Sequence, residues 1–451
     1  MTKSFDLVVI GSGAAARSVA SPCRAAGWTV AMIDKQPFGG TCALRGCDPK
    51  KVLVGVAAAA DAARLLSGKG VDASTLRIDW PELLRFKRTF TGPYPAKLLA
   101  SLAREGIEAF QAGARFVGPS QIAVGDTVLE AARAIVIAAG ARPADLPIAG
   151  REHLRTSDQF LELPMLPASI VFVGGGFISF EFAHVAARAG AQITILHRDE
   201  RPLEEFDADL VERLVARSHA LGIRMELGAE VRAIHAVDGR YRTTFSQGAS
   251  HAQVDADLVV HGAGRVPDVD DLDLDAGGVA HTRDGIEVNG YLQSISNPRV
   301  YAAGDCAATD GPALTPVAVY EGRVVAENLL RGNHATTEYE AIPSVAFTVP
   351  PLARVGLDEV EGRGKGLNFT VHHEDTAGWY SSRRLGENDS AFKVLVDQAT
   401  GQILGAHLLG PNADETINLF ALAMRTGITA SRFKDMLWAY PTHASDTAYM
   451  V

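Results

Sequence analysis

The sequence predicts an α/β protein: two Rossmann-like βαβ domains followed by a C-terminal α+β domain. Three observations predict it. A glycine-rich turn follows an apolar strand at Leu7–Ile10, and a second does so at Ile170–Val173. After about Ala341 the apolar residues alternate instead, as in antiparallel strands. At 451 residues, 47% hydrophobic and 21% charged, the chain has the bulk for several domains with ample core.

The first unit reads Leu7–Ile10, then Gly11-Ser12-Gly13-Ala14, a helix interrupted by Pro22, and a strand ending at Asp34. The second reads Ile170–Val173, then Gly174-Gly175-Gly176-Phe177-Ile178-Ser179, a helix, and a strand ending at His197-Arg198. The same spacing separates Gly11 from Asp34 and Gly174 from His197. Glycines let backbone approach a pyrophosphate, and the helix start supplies amides and partial positive charge. Two dinucleotide-binding domains are therefore expected. Asp34 accepts from ribose hydroxyls, which suits the adenosine of FAD. His197, Arg198 and nearby Arg201 suit the 2′-phosphate of NADPH better than the hydroxyl of NADH, with Glu204 counting mildly against a phosphate clamp.

Further strand-then-turn segments are Ala134–Ala139 into Gly140 and Leu258–His261 into Gly262–Arg265. Later strands are expected at Ala391–Val396 and Gln402–His407, and a helix at Ala413–Thr426. The expected division is 1–145 and 265–338 for the two parts of the FAD domain, 146–264 for the NAD(P) domain, and 339–451 for the C-terminal domain.

The net charge of −10 argues against nucleic acid as a partner. No run of about 18 apolar residues is present, so no membrane span is expected. Strand-like Phe5–Ile10 leaves no room for a leader, and a cytoplasmic location follows. In that reducing compartment four cysteines do not read as a disulfide framework. Cys42 and Cys47 stand before an Ala/Val/Leu-rich helix, where the dipole favours thiolates and Lys51 adds a cation one turn on. Zinc would need further ligands nearby, and the sequence offers none, so no metal centre is expected. Cys23 and Cys306 read as small buried residues, and His372-His373 as part of a solvated edge strand.

Gly39-Gly40-Thr41-Cys42, Gly46-Cys47-Asp48-Pro49-Lys50-Lys51, Gly174–Glu181, Gly264–Pro267, Ala302–Asp305 and Leu314–Ala318 together resemble the class I pyridine nucleotide–disulfide oxidoreductases. Glutathione reductase, dihydrolipoamide dehydrogenase and mercuric reductase belong to that family. The resemblance spans nearly the whole chain. It implies FAD at Gly11, Gly13, Ala14, Asp34, Gly40, Thr41, Lys51, Gly140, Asp305 and Ala318. It implies the nicotinamide cofactor at Gly174, Gly176, Ile178, Glu181, His197, Arg198, Arg201 and Gly264. It makes Cys47 the thiol nearest the flavin, Cys42 the thiol that meets substrate, and Lys51–Glu181 a pair beside the flavin ring. It also implies a homodimer in which the C-terminal domain completes the partner's site.

The pattern breaks near the C-terminus. Tyr440 stands where the family's disulfide reductases carry a catalytic His, and Ser445 where its Glu partner stands. Tyrosine, with a reference pKa near 10, is a poor base at pH 7 but still donates a proton. His443 and Asp446 are out of register. Mercuric reductases also resemble this chain in carrying Tyr there, but their terminal cysteine pair is absent. At the family's glutathione-binding Ser and Arg positions stand Ala14 and Ser21, while Arg323 matches. The expected function is an FAD-dependent NADPH oxidoreductase that passes hydride through flavin to Cys42–Cys47 and on to a small disulfide or thiol-reactive substrate. The alternative is an NAD(P)H-dependent reductase of quinones, oxygen or a metal ion.

Overall fold

Thr2–Ile10 ends in four buried residues, Leu7–Ile10, as a strand covered on both faces must. In the computed structural model, which describes residues Met1–Val451, it pairs in parallel with Val30–Asp34 and with Thr127–Ile137. Glu108–Gln111 and Val300–Ala302 extend the parallel sheet, and antiparallel Gln121–Val124 and Ala114–Gly118 follow beyond Thr127–Ile137. The helices Ala14–Ala25 and Thr315–Arg331 bury Val19, Ala20, Val324 and Val325 with Leu7 and Val9. Gly322 permits their approach: a Cβ there would lie 2.6 Å from the Ala15 carbonyl oxygen. The first helix runs through Pro22, which lies near its C-terminal end. These elements belong to one unit, formed by Met1–Lys50, Phe86–Asp145 and Gly264–Tyr339.

The second unit comprises Lys51–Arg85, Leu146–Ala263 and Glu340–Val451. Its parallel sheet runs Arg224–Glu226, Gln192–Leu196, Ser169–Val173, Leu258–His261, Leu154–Arg155. The helix Phe177–Arg188 is buried along most of its length, and Phe182 stacks on Phe160 at 4.5 Å. From Ser344 onward an antiparallel sheet runs Ser344–Ala346, Leu352–Gly356, Ile403–Leu409, Ala391–Asp397, Phe369–Asp375. The helix Ala413–Arg425 packs on it through Ile417 and Phe420. His372 and His373 do lie on its edge strand, His372 half-buried and His373 exposed. No helix is long and apolar enough to cross a membrane.

One buried ion pair ties this unit together. Arg188 Nε lies 2.9 Å from Asp61 Oδ1, and Arg217 Nη2 lies 3.1 Å from Asp61 Oδ2. The Arg188 side chain is 0% exposed and that of Asp61 8%, so neither charge has water to fall back on. Burial pushes the Arg188 pKa down, and Asp61 opposes that. Asp61→Asn leaves the buried Arg188 facing no carboxylate and Arg217 with only Asp389, 3.6 Å from its Nε. It is expected to destabilise the fold by about 3–5 kcal/mol, read as a lower urea midpoint. An unchanged midpoint would mean the pair contributes nothing.

Candidate functional site

The first glycine turn is shaped by what it must avoid. Gly11 adopts φ +111°, and a Cβ there would collide with the Ala138 carbonyl. Gly40 adopts φ +70°, and its Cβ would lie 2.5 Å from Gly13 Cα. The turns at Gly11–Ala14 and Gly39–Thr41 are thus pressed together at the start of the Ala14–Ala25 helix. Asp34 Oδ2 accepts from the Ser12 amide at 3.0 Å and the Ser12 hydroxyl at 2.5 Å, and Oδ1 accepts from the Gln36 amide at 2.8 Å. Ser12 Oγ accepts from the Gly39 amide at 2.9 Å, so Ser12 joins both turns. The sequence reading missed Ser12, because it fills the variable place of the Gly-x-Gly motif. Gly140 adopts φ +72°, with open space where a side chain would be. Ala318 lies on the first turn of the Thr315–Arg331 helix. Burial raises the Asp305 carboxyl pKa, with Arg265 opposing. A side-chain-free cradle at a helix start, with carboxylates at Asp34 and Asp305, fits the pyrophosphate and hydroxyl-bearing arms of FAD.

The second turn repeats this plan. Gly174 adopts φ +105°, and a Cβ there would collide with the Gly262 carbonyl. Gly176 caps the Phe177–Arg188 helix, Ile178 is half-buried in its first turn, and Ser179 fills the space a Gly262 side chain would need. A second dinucleotide fits here. Gly264, also expected at this cofactor, lies in the first unit at φ +101°. The three basic residues expected at the ribose are differently engaged. His197 Nδ1 accepts from the Gly175 amide at 3.0 Å, and Nε2 pairs with the Arg201 carbonyl at 3.0 Å. Arg201 itself donates to the carbonyls of Phe206 and Glu204, at 2.7 and 3.0 Å. Arg198 projects outward, 78% exposed, with Nε 3.0 Å from Asp199. His197, Asp199 and Glu204 bring ligand atoms within 4.8 Å of one another, but both ring nitrogens of His197 are already bonded.

Cys42 lies in the short helix Gly40–Arg45, and Cys47 opens the helix Cys47–Leu65. Both hold thiols, Cys42 half-buried and Cys47 exposed. Hydrogen bonding with Cys47 and then burial push the Cys42 pKa up, the Thr315 hydroxyl pulls it down, and the charges of Cys47 and Asp48 add to the rise. Cys47 Sγ lies 3.4 Å from Thr315 Oγ1, and Cys42 Sγ lies 4.0 Å from Asp48 Oδ1. Asp48 was not singled out from the sequence. The signal was its place in the motif, a carboxylate beside a thiol that must ionise. Cys23 and Cys306 are fully buried, and burial pushes both up to about 12, as inert packing thiols.

In the second unit Lys51 Nζ lies 3.5 Å from Glu181 Oε2, with Glu181 1% exposed. The Phe347 amide donates to Glu181 Oε1 at 2.9 Å, and Lys51 Nζ sits 3.2 Å from the Phe347 ring centre. Nothing in the sequence pointed to Phe347. Tyr440 is 80% exposed. Ser445 is buried and accepts nothing from an imidazole; it caps its own turn with Thr442. His443 turns toward Asp446 at 3.9 Å, and burial pushes His443 down and Asp446 up.

Two dinucleotide cradles and a thiol pair define an FAD-dependent pyridine nucleotide oxidoreductase. The pattern described as pyridine nucleotide-disulphide oxidoreductase matches residues 5–322, and its dimerisation domain matches residues 342–450. The chain belongs to this family. It is 31% identical to a glutathione reductase of Burkholderia cepacia, over 98% of this chain and 97% of that one. It is also 31% identical to a mercuric reductase of Lysinibacillus sphaericus, over 98% of this chain and 81% of that one. Its structure is similar to the Cu(II) complex of the HOCl-induced flavoprotein disulfide reductase RclA from Escherichia coli. That match has a TM-score of 0.89 at 26% identity and covers 99% of both chains.

Proposed function

We propose that the chain, as a cytoplasmic homodimer, carries electrons from a nicotinamide dinucleotide through FAD to Cys42 and Cys47, and from Cys42 to a small thiol-reactive acceptor. The contact between the two sulfurs, in the unit that carries the flavin cradle, supports this reading best. FAD, when bound, takes up hydride and supplies an electron pair to the cysteines. Cys47, with Thr315 as its hydroxyl partner, would be the thiol nearer the flavin. Cys42, half-buried in its short helix, presents its sulfur to the acceptor. With FAD bound, Lys51 and Glu181 would supply charge balance to the ring.

One observation favours a cationic acceptor over a disulfide within that class. The anion Asp48 lies beside Cys42, while the acid–base pair that protonates a leaving thiolate is replaced by exposed Tyr440 and buried Ser445. A carboxylate here disfavours the Cys42 thiolate and repels acidic disulfides, but it attracts a thiophilic metal ion. The test is nicotinamide oxidation by the pure flavin-loaded protein with mercuric ion, cupric ion, low-molecular-weight disulfides, quinones and oxygen. Thiol-reactive acceptors are expected to turn over about tenfold faster than quinone or oxygen. Activity with quinone or oxygen alone would overturn the reading.

The same carboxylate gives a signed prediction. Asp48→Asn removes one anion near Cys42, so the Cys42 thiol should ionise more readily. The thiolate fraction rises while its intrinsic nucleophilicity falls in part, so rates with neutral disulfides should rise by about threefold. Rates with metal ions should fall. Stopped-flow mixing of the reduced enzyme with each acceptor reads both.

A further inference from the structure

We propose that the ribose end of the second cradle selects NADH over NADPH, with Asp199 and Glu204 as the specificity-determining residues. The inference rests on the reading that this cradle holds a nicotinamide dinucleotide. It turns on what the basic residues there already do.

A 2′-phosphate carries about two negative charges at pH 7 and needs several free donors. His197 has none to give. Its Nδ1 is the acceptor for the Gly175 amide, and its Nε2 faces the Arg201 carbonyl. The ring also lies flat against the turn, since a Cβ on Gly175 would sit 2.6 Å from His197 Cγ. Arg201 commits one donor from each terminal nitrogen to the carbonyls of Phe206 and Glu204, which ties its side chain to the loop. Arg198 reaches solvent, yet Asp199 holds its Nε at 3.0 Å and neutralises it.

Two carboxylates complete the neighbourhood. Asp199 and Glu204 each bring one oxygen within 4.8 Å of a His197 ring nitrogen. Carboxylates accept hydrogen bonds from ribose hydroxyls and repel a phosphate at the same place. His197 and Arg201 therefore brace the loop, Arg198 is paired with Asp199, and the acceptors Asp199 and Glu204 stand beside them.

The test needs no electron acceptor. Titration calorimetry of the flavin-loaded protein would compare NAD⁺ with NADP⁺, and 5′-AMP with 2′,5′-ADP, whose only difference lies at this end. NAD⁺ and 5′-AMP are expected to bind at least about tenfold more tightly. Anaerobic flavin reduction by NADH should show the same preference over NADPH. The double variant Asp199→Ser/Glu204→Arg is expected to shift the ratio about tenfold toward the 2′-phosphate. Equal or tighter binding of NADP⁺ by the unaltered protein would overturn the proposal. So would a double variant that binds both dinucleotides with the ratio unmoved. Binding of neither dinucleotide, with no flavin reduction by either, would overturn the underlying reading itself.

Discussion

Cys42→Ser is expected to lower turnover with thiol-reactive acceptors by about 10³-fold or more, while bound flavin and its reduction by nicotinamide survive. Serine is close in size, and Cys42 is only half-buried in its short helix, so the fold should hold. What goes is the nucleophile: a hydroxyl is a far weaker one than a thiolate at neutral pH. Cys47 keeps its place at the start of the Cys47–Leu65 helix, beside Thr315. With its partner gone it cannot form a disulfide, and a Cys47 thiolate against oxidised flavin should give a long-wavelength charge-transfer band without any reductant. Steady-state assays and absorbance spectra of the purified variant read both effects. Full turnover with disulfides or mercuric ion would sink the role given to Cys42. Loss restricted to these acceptors, with quinone activity intact, would place quinone reduction at the flavin rather than at sulfur.

The glycine turns were legible because their chemistry is local. Gly11 and Gly174 occupy backbone conformations that side chains resist and lie against carbonyls that a Cβ would strike. A strand, a turn and a helix in close succession carry that requirement in the sequence itself. The strands Ala391–Asp397 and Ile403–Leu409 were legible through alternation, and their ends differ from expectation by only a residue or two. His197 was not legible. An imidazole at the end of a strand reads as a cation facing ligand, yet its bonds to Gly175 and Arg201 are decided by how the following loop folds back. Arg201 shows the same limit, since its partners are carbonyls that every residue possesses. Ser12 and Phe347 act through a hydroxyl bridge and a main-chain amide, and neither function marks the residue type. The break at Tyr440 and Ser445 was visible as departures from a motif. That Ser445 would be spent on capping its own turn followed only from the observed contacts.

Lys51→Met is expected to slow flavin reduction by the nicotinamide cofactor about 10²-fold, and much of that loss should be recovered in the double variant Lys51→Met/Glu181→Gln. The reason lies in burial. Glu181 is 1% exposed and its Oε1 is held by the Phe347 amide at 2.9 Å, so the carboxylate cannot swing out to water when its cation is removed. A methionine keeps the length of the side chain and still packs against the Phe347 ring, where Lys51 Nζ now sits at 3.2 Å. With the roles proposed for Lys51 and Glu181, the single variant combines two penalties: lost stabilisation of negative charge on the ring, and a buried anion without its cation. Glu181→Gln removes the second penalty and leaves the first. If the two residues act as a pair, the double variant should reduce flavin about tenfold faster than Lys51→Met alone. Additive losses would mean that Lys51 and Glu181 act separately. Single-turnover kinetics under anaerobic conditions distinguish the two, because they isolate flavin reduction from whatever acceptor lies beyond Cys42.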